Sequence, residues 1–151
     1  MRQTYITDSP QETQKVALKL LTQIPQSINL ICLYGELGSG KTTFIQGVAA
    51  ALGVKQKVLS PTFILMREYD REIKNQSRRG GTKIKKLIHV DCYRIESERD
   101  LKGVDLQEYW QDKENLVMIE WAERIKAILP KERIDICFEH LDEKTRKITV
   151  F

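Results

Sequence analysis

The sequence predicts a three-layer α/β fold around a mixed central sheet, and three observations support this. Apolar runs typical of strands alternate along the chain with segments of helical periodicity, the pattern of helices packed on a sheet. Residues 35–42, GELGSGKT, form a complete G-x-x-x-x-G-K-[ST] phosphate-binding loop between such a strand and such a helix. Two alternating runs, 134–138 and 147–151, predict a closing hairpin or a final pair of strands.

The first predicted elements are a short strand over 2–6 and a helix after it. Ser9 suits the N-cap and Pro10 the first helical position, while Glu12 completes a capping box. One helix face is predicted to be buried, because apolar residues recur at helical spacing until Pro25, where the helix must end. The residues of this face are Val16, Ala17, Leu20, Leu21 and Ile24.

The remaining elements continue the alternation. A strand over 30–34 leads into the phosphate-binding loop, and a helix over 42–52 leaves it and stops near Gly53. Further strands are predicted over 63–69, 87–90 and 116–119, short helical pieces between 96 and 110, and a short helix over 122–129 before Pro130.

Length and composition indicate one soluble domain spanning 1–151. A chain of 151 residues can bury a substantial core, and its 41% hydrophobic and 30% charged content is ordinary for a globular protein. No N-terminal segment resembles a signal peptide and no apolar run reaches membrane-spanning length, so we expect a cytoplasmic protein without a membrane partner. The three cysteines lack the paired spacing of a zinc site and fit buried thiols in a reducing compartment. A net charge of +4 permits a nucleic-acid partner without requiring one.

A basic segment, 70–86, interrupts the pattern. It has almost no apolar residues and contains Gly80 and Gly81, so we predict a mobile, solvated loop insertion. Two interpretations remain open: a connection without a partner, or a contact with nucleic acid or an acidic protein surface. Its basic residues are Arg71, Lys74, Arg78, Arg79, Lys83, Lys85 and Lys86.

Each residue type in the phosphate-binding loop has a physical role in binding phosphate. Its glycines let the backbone wrap closely with N–H groups turned inward, and the following helix directs its positive end at the same anion. We expect Lys41 to act as an exposed cation on the β- and γ-phosphates and Thr42 to ligate Mg²⁺. The alternative is a glycine-rich turn that only connects a strand to a helix. The predicted nucleotide-binding residues here are Gly35, Glu36, Leu37, Gly38, Ser39, Gly40, Lys41, Thr42 and Thr43.

Two acidic residues end predicted buried strands. Glu120 follows the apolar run 116–119, as in a Walker B strand, and Asp91 follows 87–90. A carboxylate in that position can hold Mg²⁺ or position water, although either residue alone could be an ordinary charge at a strand end. Thr62, 21 residues after Lys41, lies where a nucleotide-sensing loop places its γ-phosphate threonine; the alternative is a Ser-Pro turn that enters a strand.

ATP is the favoured nucleotide. The N-K-x-D motif that reads guanine is missing from the sequence. Residues 100–103 match the D-x-x-G switch pattern, but a polar run precedes them where a buried strand should be, so we discount that match.

Three further motifs follow the phosphate loop in order: S-P-T-F at 60–63, H-x-D-x-Y-R at His89, Asp91, Tyr93 and Arg94, and E-W at Glu120 and Trp121. Together, these four motifs resemble the TsaE (YjeE) family of bacterial P-loop ATPases, which serve threonylcarbamoyladenosine modification of tRNA. The resemblance covers nearly the whole chain. It implies that Thr42 and Glu120 serve Mg²⁺, that Asp91 supports hydrolysis, and that Thr13 lies by the nucleotide. The basic segment is longer than the family pattern leads us to expect, which puts the strand pairing there in doubt.

By this resemblance, the chain is a small cytoplasmic ATPase that is slow without its partner, a TsaD–TsaB-type heterodimer. Whether tRNA is contacted directly or through that partner is left open. Arg94 is a possible arginine finger, and Trp121 is expected to be partly exposed at the mouth of the site, for a protein contact, or else packed in the core. Two rival functions stay open: a small-molecule kinase with a lid near 78–79, and a nucleotide-gated binding module with negligible turnover.

Overall fold

A computed structural model of the protein describes residues 2–72 and 83–151. These residues form a seven-stranded sheet in the order β1-β7-β6-β2-β5-β4-β3, with helices on both faces, which confirms the predicted α/β class with a mixed sheet. The strands are β1 Gln3–Thr7, β2 Leu30–Tyr34, β3 Met66–Asp70, β4 Lys86–Asp91, β5 Asn115–Glu120, β6 Ile134–His140 and β7 Arg146–Val150. The α-helices are α1 Pro10–Gln23, α2 Lys41–Leu52 and α3 Leu106–Gln111, and two 3-10 helices span Glu98–Leu101 and Ala122–Ile128.

The centre of the sheet is parallel and both its edges are antiparallel. Strands β6, β2, β5 and β4 run in one direction. At one edge, β3 pairs antiparallel with β4. At the other edge, β7 pairs antiparallel with β6, and β1 pairs antiparallel with β7. The β6–β7 pair is the predicted final pair of strands. Since the carboxyl ends of parallel strands meet at one edge of the sheet, residues that follow β2, β4 and β5 lie close together.

Alternation along the buried strands divides the core into two layers. In β2, Ile31 and Leu33 pack toward α1 and α2, while Leu30 and Cys32 pack toward α3 and the 3-10 helices. This is the period of two that places successive side chains on opposite faces.

Helices α1 and α2 cover one face and pack against each other. Ser9 caps α1 by accepting a hydrogen bond from the Glu12 backbone, with Pro10 at the helix start, as predicted. Gly47 makes the close approach of α2 possible, because a Cβ there would lie 2.7 Å from Gln14 Cα and 2.9 Å from Ala17 Cβ. Gly53, at φ +80°, ends α2 in the left-handed conformation.

The predicted strand over 63–69 begins too early. Residues 62–64 form a turn, in which Ile64 N–H donates to the Pro61 carbonyl, and pairing starts only at Met66. Leu65 has a φ of +64°, a left-handed conformation that strand residues do not adopt. Hydroxyl contacts to Asp91, described below, hold this turn and delay the start of the strand.

The basic segment connects an antiparallel strand pair. Asp70, the last residue of β3, lies opposite Lys86, the first of β4, so the predicted insertion has both ends in the sheet. Its residues 73–82, including Arg78 and Arg79, lie outside the described residues. Across the rest of the chain, no helix has both the length and the apolar character needed to span a membrane.

Candidate functional site

The phosphate-binding loop sits where β2 gives way to α2. Gly35, Gly38 and Gly40 have φ values of +141°, +72° and +105°, a region that side chains disfavour. A Cβ on Gly35 would also lie 2.4 Å from the Phe138 carbonyl oxygen of β6. The predicted glycines are therefore required by this backbone path, which folds the loop over the N-terminus of α2.

Lys41 is buried in this loop, contrary to the exposed cation that we expected. Its side chain is only 4% exposed, and Nζ donates to the carbonyl oxygens of Gly35, at 2.6 Å, and Glu36, at 2.9 Å. Nζ also lies 4.4 Å from the centre of the Trp121 ring. Burial lowers the pKa of the Lys41 ammonium, while Glu120 and other nearby carboxylates oppose that shift. The loop glycines bring carbonyl groups close to the ammonium, which sequence spacing does not reveal.

Glu120 lies next to the loop and has two hydrogen-bond partners. Thr42 Oγ1 donates to Glu120 Oε1 at 2.8 Å, and His89 Nε2 lies 2.8 Å from the same oxygen. Both Glu120 and His89 are buried. Thr42 stands at the start of α2 and Glu120 at the end of β5, so this contact joins the phosphate loop to the neighbouring strand.

Asp91 lies opposite Glu120 in the register of the parallel strands β4 and β5. Its Oδ2 accepts hydrogen bonds from Ser60 Oγ at 2.6 Å and Thr62 Oγ1 at 2.8 Å, and its Oδ1 accepts from the Tyr93 backbone N–H at 2.9 Å. The structure therefore brings together the two predicted acids and the predicted Thr62.

Trp121 is buried, so the interpretation of a partly exposed indole at the site mouth is wrong. It is 9% exposed and belongs to the core layer on the α3 face of the sheet. The centre of its ring lies 4.4 Å from Lys41 Nζ and 5.1 Å from the centre of the Tyr93 ring. The backbone of Trp121 is left-handed, with φ +57°, because the chain turns sharply from β5 into the next helix. Trp121 therefore packs in the core and also contacts Lys41 of the phosphate loop.

Thr13 and Arg94 lie nearby with different surroundings. The Thr13 hydroxyl pairs with that of Thr7 at 2.9 Å, and its methyl group lies 4.0 Å from the position a Cβ on Gly40 would take. The Arg94 guanidinium stacks on the Phe63 ring, 4.5 Å from its centre, and Phe63 itself is 84% exposed. Thr13 is therefore beside the loop, whereas Arg94 packs on the 62–64 turn.

Two concavities of the described chain lie away from the phosphate loop. One, of about 530 Å³, is lined by the segment 101–107 together with Glu98 and Ile128, and another, of about 340 Å³, lies at Lys86 and Tyr109. Neither includes a residue of the phosphate loop. The candidate site lies instead at the carboxyl edge of the parallel strands, where Asp91 and Glu120 are neighbours in the register.

The side chains at this edge of the sheet offer the types of ligand atom that Mg²⁺ prefers. A hydroxyl and two carboxylates, from Thr42, Glu120 and Asp91, form an all-oxygen donor set, which this hard cation prefers. No cluster of three or more His, Cys, Asp or Glu side chains arranged to hold a metal occurs in the described part of the chain. Mg²⁺ is commonly bound through one or two carboxylates together with substrate phosphates, so this donor set suits a metal that arrives with a nucleotide.

The fold and the loop define a class: a three-layer α/β protein of the P-loop NTPase type. The chain belongs to the TsaE family, since the model of the threonylcarbamoyl adenosine biosynthesis protein TsaE matches residues 7–148.

Individual relatives agree with this assignment. The chain is 36% identical over 148 residues to the tRNA threonylcarbamoyladenosine biosynthesis protein TsaE of Aquifex aeolicus, covering 97% of this chain and 93% of the relative. It is 35% identical over 143 residues to the protein of that name from Bacillus subtilis, covering 95% and 81%. The crystal structure of Bacillus subtilis YdiB superimposes with a TM-score of 0.75 at 28% identity, covering 99% of this chain and 84% of that one.

Two residues of the site were not among the predicted site residues. Ser60 supplies the second hydroxyl on Asp91, and His89 contacts Glu120. The signal for His89 is its spacing of two from Asp91 in a strand, which places both side chains on one face. Ser60 carries no such signal, because it lies in irregular chain before the 62–64 turn and belongs to no periodic element.

Proposed function

We propose that this protein binds and hydrolyses ATP in tRNA threonylcarbamoyladenosine biosynthesis. The observation that carries the proposal is the 2.8 Å hydrogen bond from Thr42 to Glu120. It joins the last residue of the phosphate-binding motif to the acid of the adjacent strand. A glycine-rich turn that only connected two elements would not need this partly buried polar pair.

The loop is assigned to the phosphates of ATP. Its backbone N–H groups and the N-terminus of α2 favour an anion, and Lys41 offsets negative charge on the β- and γ-phosphates. Thr42 and Glu120 would hold Mg²⁺, which supplies further neutralisation of phosphate charge when bound. A hydroxyl that donates its hydrogen to Glu120 keeps its lone pairs for a cation, so the Thr42 contact is compatible with this role.

Asp91 is assigned to the hydrolytic step. Its carboxylate is fixed by Ser60, Thr62 and the Tyr93 N–H, and an oriented carboxylate beside a phosphate site can position the attacking water. Its further predicted role as a metal ligand remains a prediction. Thr62 and Thr13 complete the proposed nucleotide site as neighbours of Asp91 and of the loop.

The proposed partner is a TsaD–TsaB-type heterodimer, in the cytoplasm, with the chain acting as a single domain. Arg94 stacks on Phe63, which favours a partner as the source of any arginine finger. Slow hydrolysis by the isolated protein is then expected, because an arginine finger contributes roughly 10³–10⁵ in rate where one is used.

The test is to incubate the protein with ATP labelled on the γ-phosphate and to identify the products. Free phosphate supports the proposal, a phosphorylated small molecule indicates a kinase, and binding without product indicates a nucleotide-gated module. Thr42→Ala should lose the Mg²⁺-dependent product, whereas Thr22→Ala, on the exposed side of α1, is the matched control. Adding TsaD–TsaB should raise the rate; an unchanged rate would contradict the partner assignment alone.

A further inference from the structure

His89 is a buried polar residue that the proposed hydrolysis does not yet use. Its imidazole is fully buried on the face of β4 that also carries Leu87 and Asp91. Burying a polar ring is unfavourable unless it is hydrogen-bonded. Its Nε2 lies 2.8 Å from Glu120 Oε1, and Nδ1 has no hydrogen-bond partner among residues 2–72 and 83–151. The contact to Glu120 is therefore the polar interaction that this ring makes.

The direction of this hydrogen bond follows from chemistry. A carboxylate that serves Mg²⁺, as the proposed function requires of Glu120, only accepts, so His89 Nε2 carries the hydrogen and donates it. A hydrogen on Nδ1 would be a buried donor without an acceptor in the described chain. The surroundings thus select the tautomer with its hydrogen on Nε2.

The hydrogen bond from His89 restrains the orientation of the Glu120 carboxylate. Oε1 accepts from both Thr42 and His89, so both restraints act on one oxygen. Two donors from different elements, α2 and β4, fix the rotation of the carboxylate, whereas a single donor would leave it able to turn. The other oxygen, Oε2, receives no hydrogen bond from the described residues and stays available as a ligand atom.

We propose that His89 is a positioning residue that orients Glu120 for the divalent cation of the nucleotide site. The inference rests on the proposed function, in which Glu120 serves Mg²⁺. Partners that orient a metal-binding carboxylate commonly contribute 10–100-fold to metal affinity or activity. His89 acts through Glu120 and need not touch ATP.

The first test compares two substitutions of similar size. His89→Gln keeps an N–H donor at about the reach of Nε2, and His89→Met fills similar volume without a donor. We expect the Met variant to stay folded and to bind ATP without Mg²⁺ as the unmodified protein does. The gain in affinity on adding Mg²⁺ should shrink by roughly 10-fold or more, and the Gln variant should recover much of it. Equal behaviour of the two variants, whether both normal or both defective, would overturn the proposal.

The second test needs no nucleotide. The sequence contains only two histidines, His89 and His140, so long-range ¹H–¹⁵N correlation spectra at neutral pH can be assigned with a His140→Gln variant. We expect His89 to show hydrogen on Nε2 and its Nε2 resonance to shift in Glu120→Ala. Hydrogen on Nδ1 alone, or an unchanged spectrum in Glu120→Ala, would overturn the proposal. If the unmodified protein did not bind ATP, the proposed function would be refuted. The histidine spectrum is recorded without nucleotide, so the two failures can be told apart.

Discussion

Lys41 Nζ lies 4.4 Å from the centre of the Trp121 ring and also donates hydrogen bonds to two carbonyl groups of the phosphate-binding loop. The contact joins the residue assigned to the phosphates with the residue directly after the proposed metal ligand. It also places a cation beside the aromatic face that attracts it, in a region largely shielded from water. Changes at either residue should therefore affect both the stability of the loop and the chemistry of the site.

Replacing Lys41 should reduce hydrolysis strongly. We expect Lys41→Ala to lower the ATPase rate by about 10²-fold or more, because a charged donor to the phosphates is removed. We also expect a melting temperature a few degrees lower, since the loop carbonyls of Gly35 and Glu36 lose their donor. Steady-state hydrolysis and thermal denaturation measure the two effects. Near-normal hydrolysis by the folded variant would refute the phosphate-loop assignment.

The two acids should have separable effects. Glu120→Ala should weaken Mg²⁺-dependent ATP affinity, because it removes the carboxylate that Thr42 contacts. Asp91→Ala should spare ATP binding and reduce turnover, because it removes the carboxylate assigned to the attacking water and keeps the phosphate loop with its Thr42–Glu120 pair. Calorimetric titration with and without Mg²⁺, together with single-turnover hydrolysis, distinguishes the roles. Losses of affinity alone in both variants would show that the roles are divided wrongly.

Replacing Trp121 should mainly reduce the stability of the fold. Trp121→Ala should destabilise the fold by about 3–5 kcal/mol, since a large buried side chain is lost, and Trp121→Phe should cost less and keep an aromatic face for Lys41. Denaturant unfolding measures the stability of both variants.

In a Trp110→Phe background, ATP should change the fluorescence of Trp121 through its contact with Lys41. A Trp121→Ala protein of unchanged stability would contradict this packing.

The basic segment should be dispensable for the fold. We expect replacement of 73–82 by a short Gly-Ser link to leave stability and basal ATPase unchanged, provided that the paired ends at Asp70 and Lys86 are kept. Charge reversal at Arg78 and Arg79 tests the alternative of a contact with tRNA or an acidic partner. The loss of association should shrink as salt rises, because exposed charges are screened over ~8 Å at physiological ionic strength. A large drop in melting temperature after the replacement would show that 73–82 is part of the fold.

The three cysteines should differ in reactivity. Burial raises the pKa of the Cys32 and Cys92 thiols to about 12, so almost no thiolate forms at pH 8. Cys137 is only partly buried, although its pKa is also raised by burial. A thiol-reactive dye should therefore label Cys137 first, and Cys137→Ser should remove that reaction. Rapid labelling of two or more thiols in the native protein would contradict this packing.

The sequence by itself identified the phosphate-loop motif and the class of the fold. Glycines at 35, 38 and 40 are needed wherever this backbone path occurs, and apolar runs that alternate with helical periodicity indicate an α/β fold. The order of motifs likewise points to the family, because each is a local pattern. Local patterns are readable since their periods of two and 3.6 reflect backbone geometry alone.

Only the tertiary structure decided which of these groups touch. The burial of Lys41 and Trp121 depends on the path of β5 beside β2, and the start of β3 at Met66 depends on hydroxyl contacts from the preceding turn to Asp91. The contact of His89 with Glu120 requires the parallel register of β4 and β5. Register and side-chain contacts between distant segments are set by the packing of the whole core, which no local period encodes.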